Sequence, residues 1–319
     1  IKIWDASSGV CLQTLKGHSS SVWFVAFSHD STRLASASSE SIVKIWDANG
    51  VCLQTFKGHD NIINSIAFTH NSTRLASASY DSTVRIWDVS SGVCLQTLKG
   101  HSRPVNSVAF THDSTRLASV SDDETIKIWD ASSGGCLQTL EGHISHIHSM
   151  AFSHNSTRLA SASYDSTIKI WYASSGVCLQ TLSIIAVPNS IYFNATGTCL
   201  HTDTGLIDVS VSVGSDKTAV TIPQRPQYQG RDLKSVGAWI GDKSGDVLWL
   251  PSEYRSSCYA VSGNTIGFGV GSGKVWLCSF ERNDALQYGN LCIDNSMLCV
   301  STMTLFYRGV KDKGVCIPS

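Results

Sequence analysis

Three stretches of this 319-residue chain hold side chains of the types that catalyse reactions or bind metals. His59, Ser77 and Asp81 put an imidazole, a hydroxyl and a carboxylate into one short segment, with Trp87 close behind. On paper this is a hydrolase triad, in which a carboxylate orients an imidazole that deprotonates a serine. The same set returns as His101, Ser119, Asp123 and Trp129, and again as His143, Ser161, Asp165 and Trp171. A catalytic centre is built once. A set that recurs at every step of about 42 residues behaves as a structural brace would, so no catalytic residue is assigned.

The second stretch is GHISHIH, with His143, His146 and His148. His146 and His148 fall two apart on one face of a strand with no third ligand nearby, too few for a zinc site. The turn histidines His29, His70, His112 and His154 occur one per repeat, which predicts that they lie apart on separate units and do not converge. The third stretch is GFGVGSGK (267–274), which superficially matches a phosphate-binding loop. Val275 stands where that loop needs Ser or Thr, and no helical pattern follows, so a β turn is expected. No metal and no cofactor is expected.

The elements that must position these side chains are short strands. Within Gly58–Lys99, Ile63–Thr69 and Thr83–Trp87 alternate apolar and polar residues, and Arg74–Ser79 and Val93–Leu98 are similar runs. Turn formers separate them: His70-Asn71-Ser72, Tyr80-Asp81-Ser82 and Ser90-Ser91-Gly92. One four-stranded sheet of this size cannot bury both faces, whereas stacked neighbours can. Trp4, Trp46, Trp87, Trp129 and Trp171 mark the repeat, as do the Gly-His pairs at His18, His59, His101 and His143.

A period near 40, opened by Gly-His and closed by Ile-Trp-Asp, resembles the WD40-repeat family across residues 1–182. The resemblance implies an all-β propeller of four-stranded antiparallel blades, seven of them if the ring closes. It also implies a hydrogen-bond network in each blade, His59–Ser77–Asp81–Trp87, His101–Ser119–Asp123–Trp129 and His143–Ser161–Asp165–Trp171. Such a network gives a buried imidazole and indole N–H the partners they require. Glu40 replaces the aspartate in one unit, where its longer arm is expected to strain or break the network, and Tyr172 replaces the aspartate after Trp171. The near-identical repeats, the TRLASAS and CLQTL phrases and the ending WLPSEYR…AVSG resemble the WD-repeat tails of fungal NACHT-type receptors, related to heterokaryon-incompatibility proteins. That resemblance implies a sensing propeller beside effector and nucleotide-binding domains, neither of which this sequence contains. A WD-repeat adaptor, as in organelle-division or ubiquitin-ligase complexes, is the alternative.

Taken in order, residues 1–16 read as a half-blade, which predicts a piece of a longer repeat protein. Residues 17–183 hold four regular repeats, and 184–280 hold divergent blades in which SIYFNATGTCL (190–200) mimics SIAFTHNSTRL (65–75). Pro223–Gly230 reads as a proline- and glutamine-rich link. Residues 258–270 would complete the half-blade, with Ile1–Asp5 and Lys274–Phe280 competing for its third strand. Residues 281–319 form a tail outside the repeat.

Composition bounds the function further. Apolar residues make up 42% and charged residues 15%, with a net charge of −1 and no like-charge block, which argues against nucleic acid. No apolar run is long enough to span a membrane. Cys11, Cys52, Cys94, Cys136 and Cys178 are one position repeated, expected as reduced and mostly packed thiols in a cytoplasmic protein. Asn71, Asn155 and Asn194 sit in glycosylation sequons but read as turn residues.

The repeats also compare themselves. STRLAS is unchanged in all four, and CLQTL changes only at Phe56. Variation gathers after Gly-His and before the turn acid: Trp23, Ser39, Asn64, Tyr80, Arg103, Asn106, Asp122, His146, His148 and Tyr164. In a propeller both places open onto one rim, and Trp, Tyr and Arg there belong to the types that dominate binding hot spots. The sequence therefore predicts a non-catalytic module that recognises a protein through this rim.

Overall fold

The computed structural model describes residues 1–4, 10–203 and 205–210, and further on the strands Gln227–Gln229, Lys234–Val236, Trp239–Asp242, Gly245–Trp249, Cys258–Ser262, Thr265–Gly269 and Val275–Ser279. All regular structure among these residues is β-strand. The tail 281–319 lies outside the described residues. The chain divides into two units, one dominated by residues 12–200 and the other by residues 227 onward.

In the first unit, each repeat forms one four-stranded antiparallel sheet. The second repeat runs Ile63–Phe68, Arg74–Ser79, Thr83–Asp88 and Cys94–Lys99 in spatial as well as sequence order. The other three sheets span Val22–Lys57, Val105–Leu140 and Ile147–Ser183 with the same order. The alternating pattern sorts side chains by face. The second strand, Arg-Leu-Ala-Ser-Ala-Ser, is almost wholly buried because both its faces meet neighbours.

Blades are held by their contacts with the next blade. Ala35, Ala37, Val43, Ile45 and Phe56 of the first pack on Ile63, Ile66, Leu75 and Trp87 of the second. Equivalent clusters join the second blade to the third and the third to the fourth. The single departure from CLQTL has a reason, since the Phe56 ring stacks on Trp87 at 5.2 Å between centroids.

Polar links stitch the same joints. Gln54 of one blade donates its Nε2–H to the carbonyl of Ser90 in the next at 2.8 Å. Arg74 Nη1 donates to the Ala131 carbonyl at 3.2 Å. The turns after the innermost strands hold Ser31, Ser72, Ser114 and Ser156 in the left-handed region, an uncommon place for serine. Their hydroxyls explain the choice: the His70 amide donates to Ser114 Oγ at 3.0 Å and the His112 amide to Ser156 Oγ at 2.8 Å. In the worn repeat that follows, Gly197 takes this position at φ 72°.

Gly176, at φ 72°, turns the chain into the last strand of the fourth blade, and a Cβ there would lie 2.5 Å from Leu140 Cδ2 and 2.6 Å from Gln138 Nε2 of the preceding blade. Gly176→Ala is expected to lower stability by about 2 kcal/mol through left-handed strain and this contact. Gly135→Ala, where a Cβ meets only Ser133 Oγ at 3.4 Å, should leave the denaturation midpoint unchanged.

Two expectations are corrected. The segment Pro223–Gly230 is not only a link, because Gln227–Gln229 forms a strand antiparallel to Gly205–Asp208 in the second unit. A three-residue Gln-Tyr-Gln run is too short to carry a strand signal by itself. Cys258–Ser262 and Thr265–Gly269 form a sheet with Val275–Ser279, while Lys2–Trp4 pairs with Cys11–Thr14 in a two-stranded sheet. A nearby strand closes a hairpin at a much smaller entropic cost than a distant one. The cysteines are not mostly packed either. Cys52 and Cys136 are exposed, Cys11, Cys94 and Cys178 half-buried, and Cys199 buried, all of them free thiols. The outermost strand has one face with no neighbouring strand.

Candidate functional site

The His–Ser–Asp–Trp sets are bonded networks. In the third blade His101 Nδ1 meets Asp123 Oδ2 at 2.8 Å, and His101 Nε2 meets Ser119 Oγ at 2.8 Å. Trp129 Nε1–H donates to the same Ser119 oxygen at 2.8 Å. A carboxylate only accepts, so the histidine proton sits on Nδ1, and the serine hydroxyl donates to Nε2 while accepting from the indole. The second and fourth blades repeat this arrangement at distances of 2.7 to 2.8 Å. Ser77, Ser119 and Ser161 have no exposed surface. These hydroxyls are out of reach of any substrate and spend both hydrogen-bonding roles inside the blade.

The electrostatics match that role. Burial opposes ionisation of Asp81, Asp123 and Asp165. Hydrogen bonds from the histidine, the following threonine and a backbone amide outweigh it and hold each carboxyl well below its ordinary range. Thr83, Thr125 and Thr167 donate to the other carboxylate oxygen at 2.6 to 2.7 Å and were not foreseen as members. Their signal was the threonine two residues after each aspartate.

The expected break at Glu40 does not occur. His18 Nδ1 meets Glu40 Oε1 at 2.6 Å, and His18 Nε2 and Trp46 Nε1 meet Ser36 Oγ at 2.7 and 2.8 Å. The extra methylene is absorbed at the surface, where Ser19 donates both its hydroxyl and its amide to Glu40. At Tyr172 the turn loses the side-chain bonds that Asp88 makes to Ser90 and Ser91, yet keeps its backbone bonds to Val177 and Gly176.

At the other end of the innermost strands lies a cavity of about 880 Å³. Eight of the ten variable positions line it: Trp23, Asn64, Tyr80, Asn106, Asp122, His146, His148 and Tyr164. Ser39 and Arg103 do not. Ser39 faces Ser20, with 2.7 Å between the two hydroxyl oxygens, and Arg103 is exposed beyond the edge. The innermost strands also bring in Phe24, Ser65, Val108, Met150 and Ile191, which lie outside the ten variable positions.

The lining is part rigid and part open. Asn64 Nδ2–H donates to the Val105 carbonyl at 3.0 Å, and Asn106 Nδ2–H to the Ile147 carbonyl at 2.9 Å, so both asparagines clamp one blade to the next. Asn106 also donates to Asp122 Oδ1 at 2.6 Å, and His146 Nδ1 lies 3.1 Å from the same oxygen. Tyr164 meets the edges of His146 and His148 at 6.5 and 5.7 Å. Trp23, Tyr80 and Tyr164 remain about half or more exposed, at 64, 49 and 58%. Large aromatic faces stand ready around a fixed polar floor.

Gly267–Gly269 of GFGVGSGK belong to the strand Thr265–Gly269, which pairs antiparallel with Val275–Ser279, unlike the strand–loop–helix of a phosphate-binding loop; residues 270–274 lie outside the described residues.

A family model for the WD domain, G-beta repeat, matches residues 9–47, 50–88, 92–130 and 134–172. This is a WD40-repeat chain. Each matched WD40 repeat starts before the outermost strand of one blade and ends with the third strand of the next. A repeat in sequence therefore bridges two blades in space. A 47-residue stretch is 51% identical to vegetative incompatibility protein HET-E-1 of Podospora anserina, covering 15% of this chain and 4% of that protein. The WD40 repeat makes this chain a protein-interaction module of a generally non-catalytic family.

Proposed function

We propose that the chain is the sensing array of a fungal NACHT-type non-self recognition receptor, acting in the cytoplasm and binding a protein partner in the 880 Å³ cavity. One observation carries the choice of surface. Eight of the ten residues that vary between the repeats line this cavity, while the brace serines that do not change are buried. Drift alone would not concentrate aromatic residues at the positions that line one concavity. The likeness to HET-E-1, a protein named for vegetative incompatibility, supports the receptor class. The six described cysteines, all free thiols, support a reducing compartment.

The test is affinity capture with the full chain as bait, comparing wild type with Tyr80→Ala/Tyr164→Ala and an outer-turn control, Ser132→Ala/Ser175→Ala. Removing two exposed aromatic anchors should reduce partner recovery at least tenfold, while the control keeps it. Equal recovery by all three baits would move the binding surface away from this cavity.

A further inference from the structure

The polar floor of the cavity is of one chemical kind. Asn64 spends both hydrogens of its side-chain amide on the next blade, on the Val105 carbonyl at 3.0 Å and on Asn106 Oδ1 at 3.5 Å. Asn106 spends both of its own on the Ile147 carbonyl at 2.9 Å and on Asp122 Oδ1 at 2.6 Å. The backbone carbonyls decide which amide atom is the nitrogen. His146 Nδ1 lies 3.1 Å from the same Asp122 oxygen. A carboxylate only accepts, so the proton of that bond sits on Nδ1, and Nε2 of the neutral ring is an acceptor. The frame thus uses up the donors and leaves the acceptors. Among the described residues nothing donates to Asn64 Oδ1 or Asp122 Oδ2, and Asn106 Oδ1 keeps a second lone pair.

The fixed charge here has one sign. Among the described residues lining the cavity, Asp122 is the single carboxylate and none is Lys or Arg. Above this floor stand the exposed faces of Trp23, Tyr80 and Tyr164. A flat cation that donates in several directions and accepts nothing complements both features. Guanidinium meets each demand, with N–H donors around its plane, no acceptor, a weakly hydrated charge and faces that stack on aromatic rings. An ammonium group is a compact, strongly hydrated charge and matches flat faces and spread acceptors less well. An acidic group would meet Asp122 with like charge and find the floor's donors already spent.

Resting on the reading of this cavity as the partner-binding surface, we propose that it takes an arginine side chain of the protein partner. The guanidinium lies against the aromatic faces and donates to the acceptors around Asp122. The partner is thereby a protein that presents an arginine on an exposed loop or chain end.

A displayed library of random short peptides, selected on the full chain and on Tyr80→Ala/Tyr164→Ala, tests this. Peptides that prefer wild type should carry arginine at one shared position. One of them, remade with citrulline in place of that arginine, keeps the shape and loses the charge. It should bind wild type at least tenfold more weakly by fluorescence anisotropy, and a lysine version should also be weaker. Asp122→Asn should cut affinity for the arginine peptide at least tenfold and leave that for the citrulline peptide unchanged, a difference that misfolding would not produce. The citrulline comparison is read on the wild-type chain and needs no variant to fold. Peptides that prefer wild type yet lack arginine, or a citrulline or lysine version that binds as tightly, would overturn the guanidinium and leave the cavity as the partner surface. A library that yields no peptide preferring wild type over the tyrosine variant would overturn both.

Discussion

In a Ser119→Ala chain the third blade should lose about 3 kcal/mol of stability, from the removal of one oxygen atom. Ser119 is fully buried, and its Oγ serves both Trp129 Nε1–H and His101 Nε2. Alanine leaves a buried indole N–H and a buried imidazole nitrogen without partners, each costing about 1–3 kcal/mol. Denaturant unfolding followed by tryptophan fluorescence reads the effect, and Ser36→Ala in the glutamate-containing blade should cost a similar amount. A midpoint unchanged by Ser119→Ala would mean that the network does not brace the blade.

Acid should dismantle the same networks, with a sign set by the carboxylates. Asp81, Asp123 and Asp165 are held below their ordinary range by their hydrogen bonds against the cost of burial, and Glu40 is lowered chiefly by its bond from Ser19. A carboxyl whose folded-state value lies below its unfolded value binds fewer protons when folded. Its contribution is therefore complete above the unfolded value of about 4 and is lost as the pH falls below it. Four blades carry such a group, so the denaturation midpoint should drop steeply between about pH 4 and pH 2. Asp123→Asn tests the assignment. It should cost about 2 kcal/mol at pH 7, the scale of a hydrogen bond to a charged acceptor, and the gap to wild type should narrow as the pH falls. A gap that is constant with pH would show that the carboxylate charge contributes nothing to the brace.

The separation between these two effects and the cavity is useful in practice. Brace variants change stability, and cavity variants such as Tyr80→Ala/Tyr164→Ala change capture. The aromatic faces at the cavity make no contribution to the blade cores, since Tyr80 and Tyr164 are about half exposed.

What the sequence determined by itself is whatever repeats locally. The period of the strands, the turns between them and the His–Ser–Asp–Trp set could be read directly, because each depends on residues within one repeat. The comparison of repeats also separated brace from variable positions, and eight of ten variable residues do line one cavity. The tertiary structure decided everything that passes between blades or bends to fit. Glu40 keeps its network because an exposed serine absorbs the longer arm, a compensation set by surface geometry. Asn64 and Asn106 are clamps as well as lining, because their carbonyl partners sit one repeat away in sequence. Val275–Ser279 pairs with Thr265–Gly269, because a short hairpin closes more readily than a long excursion. The turn histidines His29, His70, His112 and His154 are the clearest case. Residues about 42 positions apart read as isolated along the chain, yet stacking blades places their rings 3.9 to 4.7 Å apart. Periodicity specifies one blade, and only packing of blade on blade specifies which of its surfaces meet.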